Sequence, residues 1–295
     1  MNNPITASIK QVSVNGVSLP FLEQGQGTPV VFVHGYISDH RVWRGQRQAV
    51  AQRYRYIAFS QRYFGANPWR DGGDKFSFAT HLDDLAAFIR GLHAGPVHVV
   101  GWSYGAALGL VLAMQHPELV RSLFAYEPGS GTFVTDPVDA KTIAEDRQRM
   151  IAPAISANQA GQFARAVQFV FDSANHQAGL FETLAPPLRA VFLDNARTIP
   201  LLFGAPPPPS LSSAQLGRSS VPVAIARGEL TRPFYRIVAD TASRCIPGAR
   251  LVVLPNGMHA APVLTPAAFN QALLDFLRAT ETELSVADIT TQEAI

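Results

Sequence analysis

Ser103 stands where a serine can be made reactive, in Gly101-Trp102-Ser103-Tyr104-Gly105. Before it runs Pro96-Val97-His98-Val99-Val100, a short apolar, β-branched segment that predicts a buried strand. After it come Ala106 to Met114, an apolar helix-forming run that stops before Pro117. A strand turning at once into a helix strains the backbone at the serine and crowds both neighbours, which is why glycines flank it. The hydroxyl then stands above the sheet edge, at the positive end of the helix. Such a serine can attack an acyl carbon once a base takes its proton, and the base of choice is a histidine steadied by a carboxylate.

The rest of the chain has to position that serine. Its 295 residues suffice for a large core, with 47% hydrophobic and 16% charged residues, which argues for a packed globular protein. A net charge of +2 is too small to imply nucleic acid or an anionic membrane as partner. The single cysteine, Cys245, rules out an internal disulfide and a cysteine-based metal site, and suits a buried small hydrophobe in a helix. No basic stretch followed by an apolar core opens the chain, and no apolar run spans a bilayer, so a cytoplasmic location is expected.

Periodicity gives the elements. Asn15-Gly16 between Gln11–Val14 and Ser18–Leu22 predicts a hairpin. Strands are predicted at Pro29–Val33, Tyr54–Ser60, Val120–Tyr126, Val221–Ala226 and Arg250–Leu254. Helices are predicted at Arg41–Gln52, Ser77–Leu92, Arg232–Cys245 and Pro266–Ala279. Arg62–Gly73 is a glycine-rich loop. Strands alternating with helices mean an α/β protein with a mostly parallel sheet covered on both faces. From about Ser130 to Ser219 the alternation stops, and helices at 140–155, 160–171 and 187–198 precede the stiff run Pro206–Pro209. The expected division is therefore a core of 1–129 and 220–280, a helical insertion at 130–219, and a polar tail at 281–295 that frays.

Gly101-x-Ser103-x-Gly105 in its strand–turn–helix setting resembles the nucleophile elbow of the α/β-hydrolase superfamily. The element order is similar to that fold from about residue 10 to 280, with the helical insertion where the family carries a cap. The resemblance implies a base late in the chain, and His259, after the last strand, takes that position. It implies an oxyanion hole after His34-Gly35, with the backbone N–H groups of Tyr36 and Tyr104 as donors. It also implies no metal and no cofactor.

The third member departs from the common pattern. The family usually places an aspartate after the strand following the cap, and here that position holds Thr231, which cannot stabilise an imidazolium. Glu127, at the end of the strand after the elbow helix, lies on the same sheet edge as Ser103, because parallel strands end together. Some branches of the family place their acid there. Glu229 is the alternative, with a loop-tying role as its plainer reading, and Asp240 lies on a helix face.

For the pocket, Trp102, Phe64, Trp69 and Trp43, with Phe163, Phe171, Phe192 and Phe203, offer an aromatic wall, with His34 beside it. Each taken singly also suits the core. Arg41 and Arg62 suit either a substrate carboxylate or surface ion pairs. The expected activity is a serine hydrolase cleaving a small apolar ester or lactone. Cofactor-free dioxygenases, C–C bond hydrolases and non-catalytic receptors share the scaffold and stand as alternatives. Oligomeric state is not encoded in these signals.

Overall fold

A computed structural model describes residues 8–66 and 68–293. The opening residues 1–7, Asn67 in the predicted loop, and the last two residues of the predicted tail lie outside the described residues.

The asparagine–glycine turn joins β1 (Ser8–Val14) to β2 (Val17–Gln24), with Asn15 and Gly16 both at positive φ. β3 (Pro29–Val33) is buried along its whole length. A short 3-10 turn leads from it into α1 (Arg44–Ala51), then β4 (Arg55–Phe59) and α2 (Phe78–Gly91). The elbow pair is β5 (Val97–Trp102) and α3 (Tyr104–Gln115), followed by β6 (Val120–Tyr126).

Helices alone fill the next stretch among the described residues: α4 (Pro137–Gln159), α5 (Phe163–Ala174), α6 (Pro186–Asp194), α7 (Ile199–Gly204) and α8 (Ser213–Leu216). The sheet resumes with β7 (Val223–Gly228), α9 (Pro233–Cys245) and β8 (Arg250–Leu254), and α10 (Ala261–Leu264) and α11 (Pro266–Glu293) follow.

The eight strands form one sheet in the order β1-β2-β4-β3-β5-β6-β7-β8. Pairs from β4 onward are parallel, while β1–β2 and β2–β4 are antiparallel. The parallel strands inside the sheet are buried on both faces, as a sheet covered on both sides requires, whereas the edge strand β8 leaves Leu251 and Val253 exposed. One core cluster packs α2, α3 and α9 against one face; a second packs α11 and α5 residues with Trp43, Phe124 and Tyr126 on the other.

Two elements run longer than the periodicity suggests. α4 starts at Pro137 because the Asp136 side chain accepts from the N–H groups of Val138 and Asp139, and proline at the first turn loses nothing. α11 continues to Glu293 instead of ending near Ala279. The reason is a tertiary clamp on an apparently polar tail: the Glu281 carboxylate accepts from Arg121 at 2.7 and 2.9 Å and pairs with His98 Nε2 at 2.7 Å.

Candidate active site

Ser103 is the point where β5 becomes α3, at φ +57 and ψ −113. This is a strained conformation for a non-glycine residue, and the surroundings hold it. The Ser103 N–H donates to Tyr126 O at 2.9 Å, and its carbonyl accepts from Ala107 and Gly129 at 3.0 and 3.1 Å. The flanking glycines are compulsory. A Cβ at Gly101 would meet Ala106 Cα at 2.5 Å, and one at Gly105 would meet the Val33 carbonyl oxygen at 2.1 Å.

The third strand end supplies a carboxylate. Glu127 follows β6 at φ +48 and is fully buried. Both of its oxygens accept: Oε1 from the Gly228 N–H at 2.8 Å and Oε2 from His259 Nδ1 at 2.7 Å. With Nδ1 as donor, a neutral imidazole keeps its lone pair on Nε2. His259 is 6% exposed, and its loop is held from three sides. Trp102 Nε1 donates to His259 O at 2.8 Å, the Tyr126 hydroxyl to Met258 O at 2.7 Å, and the Ala260 N–H to Asn175 Oδ1 at 2.7 Å. The Tyr235 ring stacks on the imidazole with centroids 3.9 Å apart and planes 10° from parallel. Burial pushes the Tyr235 phenol well up, so it remains a donor, with Met150 Sδ at 3.7 Å.

Ser103 and His259 line one cavity. Among the described residues no hydrogen bond joins the Ser103 hydroxyl to the ring, so Glu127 and His259 are in contact while the serine is their neighbour across the cavity wall. Catalytic hydrogen bonds are often long in unliganded sites and tighten around substrate.

The other acidic candidates are engaged elsewhere. Glu229 is exposed and caps the neighbouring loop, accepting from the Asn256 N–H at 2.9 Å. Asp240 pairs with Arg227 at 2.7 Å. Thr231 buries its hydroxyl without a hydrogen-bond partner.

Across the serine lies the loop after β3. A Cβ on Gly35 would come within 3.2 Å of Ser103 Cβ, so this loop touches the elbow directly. The Tyr36 and Tyr104 rings stack at 4.0 Å. Tyr104 opens α3, and its N–H therefore has no acceptor within the helix. His34 is fully buried behind them; burial lowers it to about 4, so it is neutral. Its Nδ1–H donates to Gly35 O at 2.7 Å, and its Nε2 accepts from the Gln61 N–H at 3.1 Å. His81 does similar work one layer back, where the Tyr104 hydroxyl donates to its Nδ1 at 2.7 Å.

The cavity measures about 220 Å³. Of the aromatic residues expected to line it, Trp102, Phe171, Phe192 and Phe203 do. His34, Phe64, Trp69, Trp43 and Phe163 do not. Phe64 packs with Tyr63 and Phe76 in a separate cluster that Trp69 covers, Trp43 is sealed in the core, and Phe163 faces solvent. The two arginines considered for a carboxylate are both committed: Arg41 to Asp39 and Asp194 at 2.8 and 2.9 Å, and Arg62 to Asp84 at 2.7 Å.

Among the wall residues that went unnoticed in the sequence, three are polar: Tyr235, Asn175 and Arg147. Tyr235 sits one turn into a helix after a strand end, a usable signal. Asn175 and Arg147 belong to helices whose orientation only the tertiary structure gives.

A family model described as alpha/beta hydrolase fold matches residues 28–263. A 2-(acetamidomethylene)succinate hydrolase of Mesorhizobium japonicum is 26% identical over 277 residues, covering 92% of this chain and 95% of that protein. A pimeloyl-[acyl-carrier protein] methyl ester esterase of Aeromonas hydrophila is 26% identical over 271 residues, covering 86% and 96%. The crystal structure of a carboxylesterase from Bacillus subtilis superposes with a TM-score of 0.71 at 18% identity, covering 93% of this chain and 92% of that one. With most of its length matched by that family model and a sheet, elbow and strand order to suit, the chain belongs to the alpha/beta hydrolase fold family.

Proposed function

We propose that this protein is a serine hydrolase of small, largely apolar esters or lactones, working through an acyl-enzyme. The helices between β6 and β7 act as a cap over the sheet edge. The observation that carries this reading is the buried contact between His259 Nδ1 and Glu127 Oε2 at 2.7 Å, made in the wall of the cavity that also holds Ser103.

The steps follow from the geometry. His259 Nε2 takes the Ser103 proton as Oγ attacks the acyl carbon. The carbonyl oxygen becomes an oxyanion, which the N–H groups of Tyr36 and Tyr104 and the positive end of α3 stabilise. Glu127 holds the imidazolium in place and balances its charge. The C–O bond to the leaving group then breaks, and that oxygen receives the proton from Nε2. Water, deprotonated by the same nitrogen, attacks the acyl-enzyme, and Ser103 is regenerated as the acid departs. The Aeromonas relative, named for a methyl ester, fits this chemistry.

A fluorophosphonate probe tests the nucleophile without knowledge of the substrate. Ser103 in the wild-type protein is expected to take one label, and Ser103→Ala none. Turnover of simple esters by wild type and its loss in Ser103→Ala would complete the case. An unlabelled wild type, or a Ser103→Ala variant that keeps turning over substrate with consumption of oxygen, would overturn it in favour of a base-only chemistry at His259.

A further inference from the structure

Arg147 is the one arginine, lysine, aspartate or glutamate among the residues that line the cavity. It lies on α4 with Met150 and Ile151, three and four residues on, and all three line the cavity, so one helix face forms this wall. That face is fixed by its neighbour. Asp146 is buried and accepts from Arg232 Nε and Nη2, both at 2.7 Å, and from the Phe234 N–H at 3.0 Å. A helix clamped at Asp146 places residue 147 a third of a turn round.

Arg147 has no carboxylate of its own. Its helical neighbours at the interacting spacings are Ile143, Ala144, Met150 and Ile151. On the same helix Arg149 has Glu145 four residues back, and the two pair at 3.2 Å. Among the described residues no ion pair is formed by Arg147, although 13 other lysine and arginine side chains pair in the same structure with acids such as Asp84, Asp146 and Glu281. Tyr36 lines the same cavity; burial raises its phenol, and the charge of Arg147 acts against that rise.

We propose that Arg147 binds a carboxylate carried by the substrate, so that the preferred ester or lactone has an apolar body and one anionic end. This rests on the serine-hydrolase reading of the same cavity and adds the substrate class. A guanidinium offers a planar pair of donors that matches a carboxylate. One unit of positive charge suits a monoanion better than a phosphate. The remaining wall, from Trp102 through Phe171 to Phe203, takes the apolar body.

The test separates binding from turnover. Monobenzyl glutarate and its neutral diester, benzyl methyl glutarate, are titrated calorimetrically into Ser103→Ala protein with and without Arg147→Gln. The monoanion is expected to bind the Ser103→Ala protein better than the diester. Arg147→Gln should cut that preference about tenfold, and raised salt should erode it, because Arg147 is exposed. Arg147→Lys, which keeps the charge and loses the fork, should fall between. An equal preference in the two proteins, or a monoanion that binds no better than the diester, overturns the proposal. If the wild type hydrolyses neither ester while the Arg147-dependent preference persists, the serine-hydrolase reading fails and the anion site stands.

Discussion

The sheet edge and the helices above it solve different problems by different means. At the sheet edge, position is set by backbone: Ser103 and Glu127 both sit at positive φ, and glycines pack where a single Cβ would collide with main chain. In the helical block, position is set by side chains: Asp146 on Arg232, Asn195 bridging Asp39 and Gly65, and the Phe171, Phe181 and Phe192 cluster. Backbone-built geometry tolerates almost no substitution, whereas helix faces can be rewritten residue by residue. The proposed function assigns reaction chemistry to the first region and choice of substrate to the second.

Glu127→Gln is the sharpest way to probe that division. The glutamine has one acceptor oxygen for two donors, the Gly228 N–H and His259 Nδ1–H. If the oxygen keeps Gly228, the amide N–H₂ faces Nδ1 and imposes the wrong tautomer, with the proton on Nε2 towards the serine. A loss of about 10³- to 10⁴-fold in kcat is expected, with the melting temperature little changed, because the volume is conserved. Turnover near wild type would remove Glu127 from the chemistry.

Gly101→Ala attacks the same region through packing. The added methyl meets Ala106 Cα and the Gly105 carbonyl, both at 2.5 Å, and neither can move without shifting the elbow. A stability loss of about 3 kcal/mol or more in denaturant unfolding is expected. An alanine at Gly161, which has nothing within 4 Å of its Cβ position, provides a control in the helical block, although its φ of +71 adds local strain. Comparable losses at the two sites would blur the contrast.

The same division explains what the sequence discloses. The elbow is local: a strand, two glycines and a helix within twenty residues, all visible as pattern. Glu127 could be preferred to Glu229 because parallel strands end on one edge, and the structure puts Glu127 against His259 while Glu229 caps a loop. The wall was harder to see. Phe64 and Trp69 follow a strand end, yet Tyr63 and Phe76 draw them into a side cluster. Arg147 lies among Glu145, Arg149 and other charged residues and looks like part of a solvated face. Only the Asp146–Arg232 clamp, 86 residues apart in sequence, sets this helix face against the cavity, where Arg147 lines the wall while staying open to solvent.

Asn175 joins the two regions. It is buried at the end of α5, anchored through Nδ2 to Phe171 O at 2.8 Å, and accepts from the Ala260 N–H beside His259. Asn175→Ala should loosen the His259 loop and lower kcat about tenfold, since small displacements of a catalytic group are costly. The effect should fall on kcat more than on KM, and Asn175→Asp, which keeps the acceptor, should recover part of it. A purely structural role would lower stability and leave kcat per folded molecule untouched.

Acid should separate the regions by pH. Behind the elbow, burial lowers His34 to about 4 and His81 to about 3, whereas histidine in an unfolded chain titrates near 6.5. Between those values the unfolded chain binds protons that the folded one refuses, so stability is full above about 6.5 and falls as pH drops towards 4. In the helical block, burial pushes Asp146 up, but the Arg232 hydrogen bonds and charge and the Phe234 N–H outweigh it and hold it below its ordinary value. Its contribution is therefore present above about 3.9 and lost only as pH falls further. Melting temperature should decline from pH 6.5 downward, and His81→Gln should flatten part of that slope. Asp146→Asn should lower the melting temperature across the range above about pH 4 without altering its slope there, and should change the slope only below about pH 4. A flat profile from pH 7 to 5 would remove the buried histidines as the source of acid sensitivity, and a slope that Asp146→Asn abolishes would place the acid-sensitive element in the helices instead.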